Sequence, residues 1–320
     1  MVDEDRFQMW RDISKSINHP FAIRCANGLP GETVSDNIFR VNEDHPGTPE
    51  QPWRPAPVIT ASAALHVAGL AALAADPASW MYVGTALAGN HALLTTAGML
   101  PRNALLGPNL QRLPQAAAAR NEIALTFDDG PDPVATPAIL DLLDHHGAKA
   151  SFFCIGRKAA VHADIIREIV RRGHSVENHS NHHPNAFACY GIGRLKREIE
   201  AAQETLAATA GQAPVYFRAP MGLRNPFLDP VLARLGLIYV SWTRRGFDTV
   251  DDNPDTVLAR LSRNLAAGDM LLLHDGTAAG DRRRLPVACS VLPALLERIK
   301  AAGLRTVSLR AAFSGGTARS

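Results

Sequence analysis

Two neighbouring carboxylates, Asp128 and Asp129, stand in the string TFDDGP at 126–131, at the end of an apolar run. Like charges that close repel, so a cation holds both ionised or one pKa rises. A bound metal is the simplest remedy. A solvated turn is the competing reading, and taken alone the string favours the turn. Further along, ENHSNHHP at 177–184 places His179, His182 and His183 within five positions. His179 and His183 are four apart; if a helical turn begins there, they share one face and can bind one cation. Three histidines after a strand-like run favour a metal site over three bland surface residues. Two imidazoles and one carboxylate leave positions open for water and substrate, as catalytic zinc sites do. His182 points elsewhere on such a turn and reads as a supporting or exposed residue. FRAPMG at 217–222 puts Arg218 at another run's end, where it can hold a carboxylate by a two-pronged pair or form a structural salt bridge. Trp242 and the Phe247-Asp248 pair follow a further run. LLLHDG at 271–276 puts His274 where a strand leaves the core. A core histidine there needs a buried partner; a proton-transfer histidine at the rim also fits.

Such residues need a scaffold that gathers strand ends. Apolar runs at 122–127, 150–155, 175–178, 215–219, 237–243, 270–274 and 305–309 alternate with helix-period segments at 137–146, 161–172, 192–210, 226–235, 255–267 and 287–302. Strand–helix alternation over residues 120–310 predicts an α/β domain with a parallel sheet and outer helices. Seven units predict a distorted (β/α) barrel of about seven parallel strands, closed or nearly so, with reactive groups at the C-terminal strand ends. The candidates above all follow such runs.

The 320 residues carry 33 Lys and Arg against 31 Asp and Glu, a net charge of +2. That balance leaves no nucleic-acid footprint. With 20% charged and 46% hydrophobic residues, the chain is not wholly disordered. Cys25, Cys154, Cys189 and Cys289 lie far apart with no CxxC pair, which argues against a disulfide scaffold and against a thiolate zinc site. Residues 1–57 are polar and predicted largely irregular, with a helical turn or two at 6–17 and a proline-rich, linker-like end. No basic-plus-apolar stretch predicts a cleavable signal peptide.

Residues 58–101 hold two uncharged, alanine-rich runs, 58–75 and 77–101, parted by Asp76-Pro77. A bilayer core needs about 20 apolar residues in a helix, and both runs approach that length. Trp80 and Tyr82 sit by the turn, as interfacial aromatics do. Gly69, Gly84 and Gly89 would let two helices pack closely. The expectation is an N-terminal helical hairpin that spans the inner membrane. Soluble helices covering a core compete with it, and His66, Asn90 and His91 oppose insertion. Arg54 before the hairpin and Arg102, Arg112 and Arg120 after it place both ends in the cytoplasm.

In order along the chain, TFDDGP (126–131), HSNHHP (179–184), RAPMG (218–222), the region from Trp242 to Asp248, and LLLHD (271–275) make residues 122–309 resemble the polysaccharide deacetylase domain. That is the domain of the family 4 carbohydrate esterases, with chitooligosaccharide and peptidoglycan deacetylases among them. The first, second and fifth motifs are close matches. The resemblance implies that Asp129, His179 and His183 bind a divalent metal, usually zinc and sometimes cobalt. It implies Asp128 as general base toward a metal-bound water and His274 as general acid toward the leaving amine. Arg218 would hold Asp128, Asp248 would pair with His274, and the Met221 backbone N–H would help bind the oxyanion. Three positions depart from the pattern: Met221 replaces a frequent aromatic residue, Arg245 a frequent acid and Thr249 a frequent tryptophan. The groove for a polymeric sugar is therefore altered.

The expected activity is metal-dependent removal of an N-acyl group, acetyl first, from an amino sugar of a glycan. A deformylase or deacetylase of a lipid-linked amino sugar at the membrane is the alternative within enzymes. A catalytically inactive glycan-binding domain is the alternative outside them. Many relatives of the resembled domain act outside the inner membrane, against the cytoplasmic side that the arginines favour.

Overall fold

The computed structural model describes residues 53–276 and 285–314. The helical turns predicted at 6–17, Cys25 and nearly all of the polar segment 1–57 lie outside the described residues. Helices α1 (Pro57–Ala75), α2 (Trp80–Met99) and α3 (Gln115–Ala119) come first, then strand β1 (Glu122–Asp128), α4 (Ala135–His145) and β2 (Ala150–Cys154). Next are α5 (Gly156–Val161), α6 (Ala163–Arg171), β3 (Ser175–Asn178), α7 (Ile192–Ala210), β4 (Tyr216–Phe217) and α8 (Leu228–Arg234). The chain continues with β5 (Ile238–Tyr239), β6 (Arg244–Arg245), α9 (Pro254–Ser262), β7 (Met270–His274), α10 (Val287–Ala301), β8 (Arg305–Val307) and α11 (Leu309–Ser314).

Strand β1 shows how the apolar pattern builds the domain. All seven of its residues are buried, as in a strand covered on both faces. Ile123, Leu125 and Phe127 pack with Ile139, Leu140, Leu143, Leu271 and Leu273 beneath the outer helices. Ala124, on the other face, packs with Phe153, Tyr216, Val240 and Met270. A side-chain period of two then sends Thr126 and Asp128 to that inner face. The strands run parallel in the order β5-β4-β3-β2-β1-β7-β6, and β8 pairs with the start of β1. This is the predicted α/β barrel architecture, curled but open: β5 and β6 share no pairing among the described residues.

Three expectations need correction. The run 237–243 contains not one strand but the end of one edge and the approach to the other. The Ser241 N–H donates to the Leu110 carbonyl and the Thr243 N–H to Met270, so the backbone bonds change sheet edge between β5 and β6. The helix predicted over 161–172 breaks at His162, whose φ of −119° ends α5 before α6 starts. The last strand stops at Val307, because Leu309 already opens α11.

Helices α1 and α2 form the predicted antiparallel pair, and most of its side chains, apolar and polar alike, are exposed. Asn90 Nδ2 donates to Ser62 Oγ across the seam (2.9 Å), and His66 Nδ1 donates to the Ser62 carbonyl of its own helix (2.7 Å), whereas His91 is exposed. Val67 and Leu70 are each 69% exposed and Tyr82 81%. Gly69 lies at the close approach, where a Cβ would come within 2.9 Å of Val83; Gly84 and Gly89 face open space and do not serve packing as expected. Helix α1 alone reaches the length and apolarity of a membrane span among the described residues, with a mean hydropathy of 1.9.

The base of the hairpin is tied to the barrel. Trp53 Nε1 donates to Asp229 Oδ2 (2.7 Å), so the proline-rich stretch does not end as a free linker. The Arg224 N–H donates to the Gly98 carbonyl (3.1 Å), and its guanidinium to that of Asn103 (2.7 Å). A methyl on Gly98 would stand 2.2 Å from the Arg224 carbonyl oxygen. Gly98→Ala is therefore expected to destabilise by about 1–3 kcal/mol through forced separation. A melting curve checks it, and an unchanged midpoint would show that α2 is not held there.

Candidate active site

Strand register assembles the site. Asp128 pairs with His274 across β1 and β7, and Cys154, Asn178 and Phe217 share a level across β2, β3 and β4. One residue past those ends come Asp129, His179 and Arg218. Asp128, Asp129, His179, His183, Met221 and His274 all line one cavity of about 220 Å³.

The ligating atoms of Asp129, His179 and His183 lie within 4.8 Å of one another. Asp129 Oδ1 is 3.4 Å from His179 Nε2 and 3.3 Å from His183 Nε2. The His179 Nδ1–H donates to the Arg218 carbonyl (2.8 Å), which fixes the tautomer and leaves Nε2 facing the carboxylate. Asp129 Oδ1 is buried with no hydrogen-bond partner. A buried carboxylate oxygen left bare between two imidazole nitrogens fits a divalent cation. Burial opposes ionisation of Asp129, but the close approach of His179, with the charges of His274 and His183 behind it, prevails and holds its carboxyl far below the usual range. Burial, with the neighbouring His179, pushes His183 down to about 4, so it offers a neutral nitrogen near pH 7.

The two histidines meet without the helical turn proposed from their spacing. Residues 179–186 form no helix; Ser180 (φ 64°) and His183 (φ 52°) are left-handed and bend the loop back. Asp129 (φ 74°), Met221 (φ 57°) and Phe247 (φ 61°) share that backbone region at other strand exits. Strain of this kind collects where a site dictates the backbone. His182 is exposed and pairs with Glu198 (2.8 Å), away from the cluster.

Asp128 and His274 sit on opposite supports. Arg218, fully buried, donates through Nη1 to Asp128 Oδ1 (2.6 Å) and Thr126 Oγ1 (2.9 Å), and through Nη2 to the Ser241 carbonyl (3.0 Å). Its guanidinium also lies over the Phe153 ring (4.0 Å). The predicted tether is thus present, through one nitrogen rather than two. Asp128 Oδ2 remains on the side of His179 Nε2, at 3.9 Å. Asp248 takes the His274 Nδ1–H (2.9 Å) and the His274 backbone N–H (2.8 Å), which leaves Nε2 for the cavity.

Burial alone would push His274 down, but the charge and hydrogen bond of Asp248 reverse this and hold it up at about 8. The folded value exceeds the ordinary 6.5, so the pairing's stabilisation is complete below about 6.5 and is lost as pH rises through about 8. The imidazolium needed by an acid also disappears above that value. The expected rate profile falls on its alkaline side near pH 8, and Asp248→Asn moves that fall to lower pH. A profile of kcat against pH checks this; an unmoved limb would remove Asp248 from the role.

Asp275 follows His274 in LLLHDG, where nothing in the sequence marks a role for it. The Asp275 N–H donates to the Asp128 carbonyl (3.1 Å), and its Oδ2 accepts from Thr136 Oγ1 (2.6 Å). Burial pushes its carboxyl up to about 7. Lys158 Nζ donates to the Asp129 carbonyl (2.6 Å). Neither Thr136 nor Lys158 lies in a recognisable motif, so only coordinates reveal them.

The polysaccharide deacetylase family profile matches residues 115–240. A chitooligosaccharide deacetylase of Sinorhizobium fredii is 33% identical over 199 residues, covering 59% of this chain and 92% of the relative. The chain belongs to the polysaccharide deacetylase family. It is accordingly a hydrolase of linear amide bonds. A peptidoglycan-N-acetylglucosamine deacetylase of Bacillus cereus is 33% identical over 194 residues, covering 60% of this chain and 68% of that protein. Among solved structures, a peptidoglycan N-acetylglucosamine deacetylase matches at 30% identity with a TM-score of 0.59, over 64% of this chain and 92% of its own. A family 4 carbohydrate esterase from Streptomyces lividans, in complex with acetate, matches at 30% identity with a TM-score of 0.53, over 59% and 94%.

Proposed function

We propose that this deacetylase-family hydrolase removes an N-acyl group, acetyl first, from an amino sugar of a glycan, with a divalent metal held by Asp129, His179 and His183. The observation that carries the reading is one cavity with three parts. These are the bare carboxylate between two imidazoles, a carboxylate clamped by arginine and a histidine clamped by aspartate. Zinc suits the two nitrogens and one oxygen, and cobalt fits the same donors. When bound, such a cation supplies Lewis acidity for a carbonyl oxygen and lowers the pKa of water from 15.7 towards about 7.

The protein's own groups supply the proton transfers. Asp128, fixed by Arg218 through Oδ1, accepts the proton of the attacking water. His274 carries a proton on Nε2 and delivers it to the leaving nitrogen. The Met221 N–H adds a donor for the developing oxyanion, and one such donor typically contributes about 2.7–4 kcal/mol. The names of the relatives support N-acetylglucosamine as the sugar. The test is acetate and formate release from a panel of N-acylated amino sugars and their oligomers. Acetate release from N-acetylglucosamine oligomers is expected; release of neither acid from any of them by metal-loaded protein would sink the reading.

A second reading has its own observation. The hairpin leaves large apolar side chains exposed and bonds Asn90 to Ser62 across its seam, as helix pairs in lipid do. It favours membrane association through residues 58–101 and a lipid-linked amino sugar as substrate, with deformylation beside deacetylation. The expected result is a chain that resists high-salt washing of membranes and leaves them only with detergent. Release by salt would remove the membrane from the account. An inactive glycan-binding domain would not need the buried base and acid that this cavity retains.

A further inference from the structure

A second cavity, of about 440 Å³, adjoins the catalytic one and shares Trp242 and Arg245 with it. Four arginines line it, Arg102, Arg244, Arg245 and Arg260, with Phe247, and no carboxylate does. Two of the four are already engaged. Arg244 is paired with Asp269 (2.7 Å) and donates to the carbonyls of Arg263 and Asn264. Arg260 is paired with Asp251 (2.8 Å).

The other two are not neutralised. Arg102 donates to the Thr243 carbonyl (3.0 Å) and has no carboxylate partner among the described residues. The Arg245 side chain has neither a hydrogen bond nor an ion pair among them, and its Nε is buried without a partner. Ring faces hold it instead, with its guanidinium 5.5 Å from the Trp242 centroid and 5.0 Å from that of Phe247. A buried, unsatisfied guanidinium nitrogen is costly unless something else completes it. Two uncompensated guanidiniums in a cavity without acids suit a tetrahedral anion with several acceptor oxygens.

Position selects the carrier of that anion. Pro101 and Arg102 line this cavity directly after α2 ends at Met99, and Arg224 fixes that end of the hairpin to the barrel. The arginine cavity therefore connects the apolar hairpin to the amide-cleaving pocket. We propose that Arg245 and Arg102 form an anion subsite that binds a phosphate group carried by the N-acylated amino sugar whose amide enters the adjoining pocket. The inference rests on the amide-hydrolase reading of that pocket and adds a phosphorylated substrate class to it.

The test is equilibrium binding by the full chain in detergent, which needs no turnover. N-acetylglucosamine 1-phosphate is expected to bind about tenfold or more tighter than N-acetylglucosamine. The preference is expected to weaken with salt, and to vanish in an Arg245→Gln, Arg102→Gln double variant. Inorganic phosphate is expected to displace the sugar phosphate from the unaltered protein, which keeps the test independent of how the variant folds. Equal affinity for the two sugars, or a preference that survives the double variant, overturns the subsite. Acetate release from chitotetraose and from N-acetylglucosamine 1-phosphate is measured in parallel. Release without any phosphate preference overturns the subsite and leaves the hydrolase reading. A phosphate preference without release from any sugar supports the subsite and sinks the hydrolase. A polyprenyl diphosphate-linked sugar in micelles separates the sources. Tighter binding than the free 1-phosphate assigns the phosphate to a lipid carrier, and equal binding assigns it to a soluble sugar phosphate.

Discussion

Asp128→Asn is expected to lower kcat by about 10²–10⁴-fold, the usual loss when a general base is removed. The amide keeps the shape of the carboxylate, and its Oδ1 can still accept from Arg218 Nη1, now 2.6 Å from Asp128 Oδ1. It cannot take a proton. The three residues of the metal cluster are untouched, so metal content should stay at the level of the parent protein. A second consequence separates the base role from a purely structural one. Arg218 is fully buried, and half of its ion pair becomes neutral. Breaking a buried pair costs about 3–5 kcal/mol, so the melting point should fall as well. Rate measured well below the new midpoint, on folded and metal-bearing protein, isolates the chemistry. A rate within a few-fold of the parent there would exclude Asp128 as the base.

The second large effect concerns the cluster itself. His179→Ala is expected to abolish both metal binding and turnover, whereas His182→Ala should change neither. Loss of an outer hydrogen-bond partner already costs about 10–100-fold in metal affinity, and loss of a ligand costs more. His179 is buried, 3.4 Å from Asp129 Oδ1, and oriented by the Arg218 carbonyl. His182 lies two residues before Pro184 in the same motif, but its ring is exposed and paired with Glu198. Metal analysis of the two variants reads the difference. Full metal content in His179→Ala would remove that residue from the ligand set.

Much of this site was legible in the sequence because long apolar runs marked their own ends. The run before Asp128 and the three leucines before His274 form β1 and β7, and their register sets the two residues side by side. The histidine pair was legible by spacing for a reason that does not hold. Four residues suggested a helical turn, whereas left-handed Ser180 and His183 fold a loop, and no spacing pattern encodes that. The run 237–243 misled for a related cause. An apolar stretch reads as one strand even where its backbone bonds pass between two sheet edges. His66, Asn90 and His91 oppose membrane insertion in a sequence that shows polarity and not direction; the fold bonds Asn90 to Ser62 across the hairpin seam and leaves His91 exposed. Arg245 was visible only as a departure from a motif. That it lacks an acidic partner is a property of the assembled cavity.

The most direct test of the account follows acetate release from N-acetylglucosamine oligomers by the full chain before chelation, after chelation and after return of zinc or cobalt, with metal content measured at each stage. Activity is expected to disappear with the metal and to return in proportion to the ion rebound, while Asp128→Asn rebinds the ion and stays inactive. Undiminished acetate release from protein shown to be metal-free would contradict it.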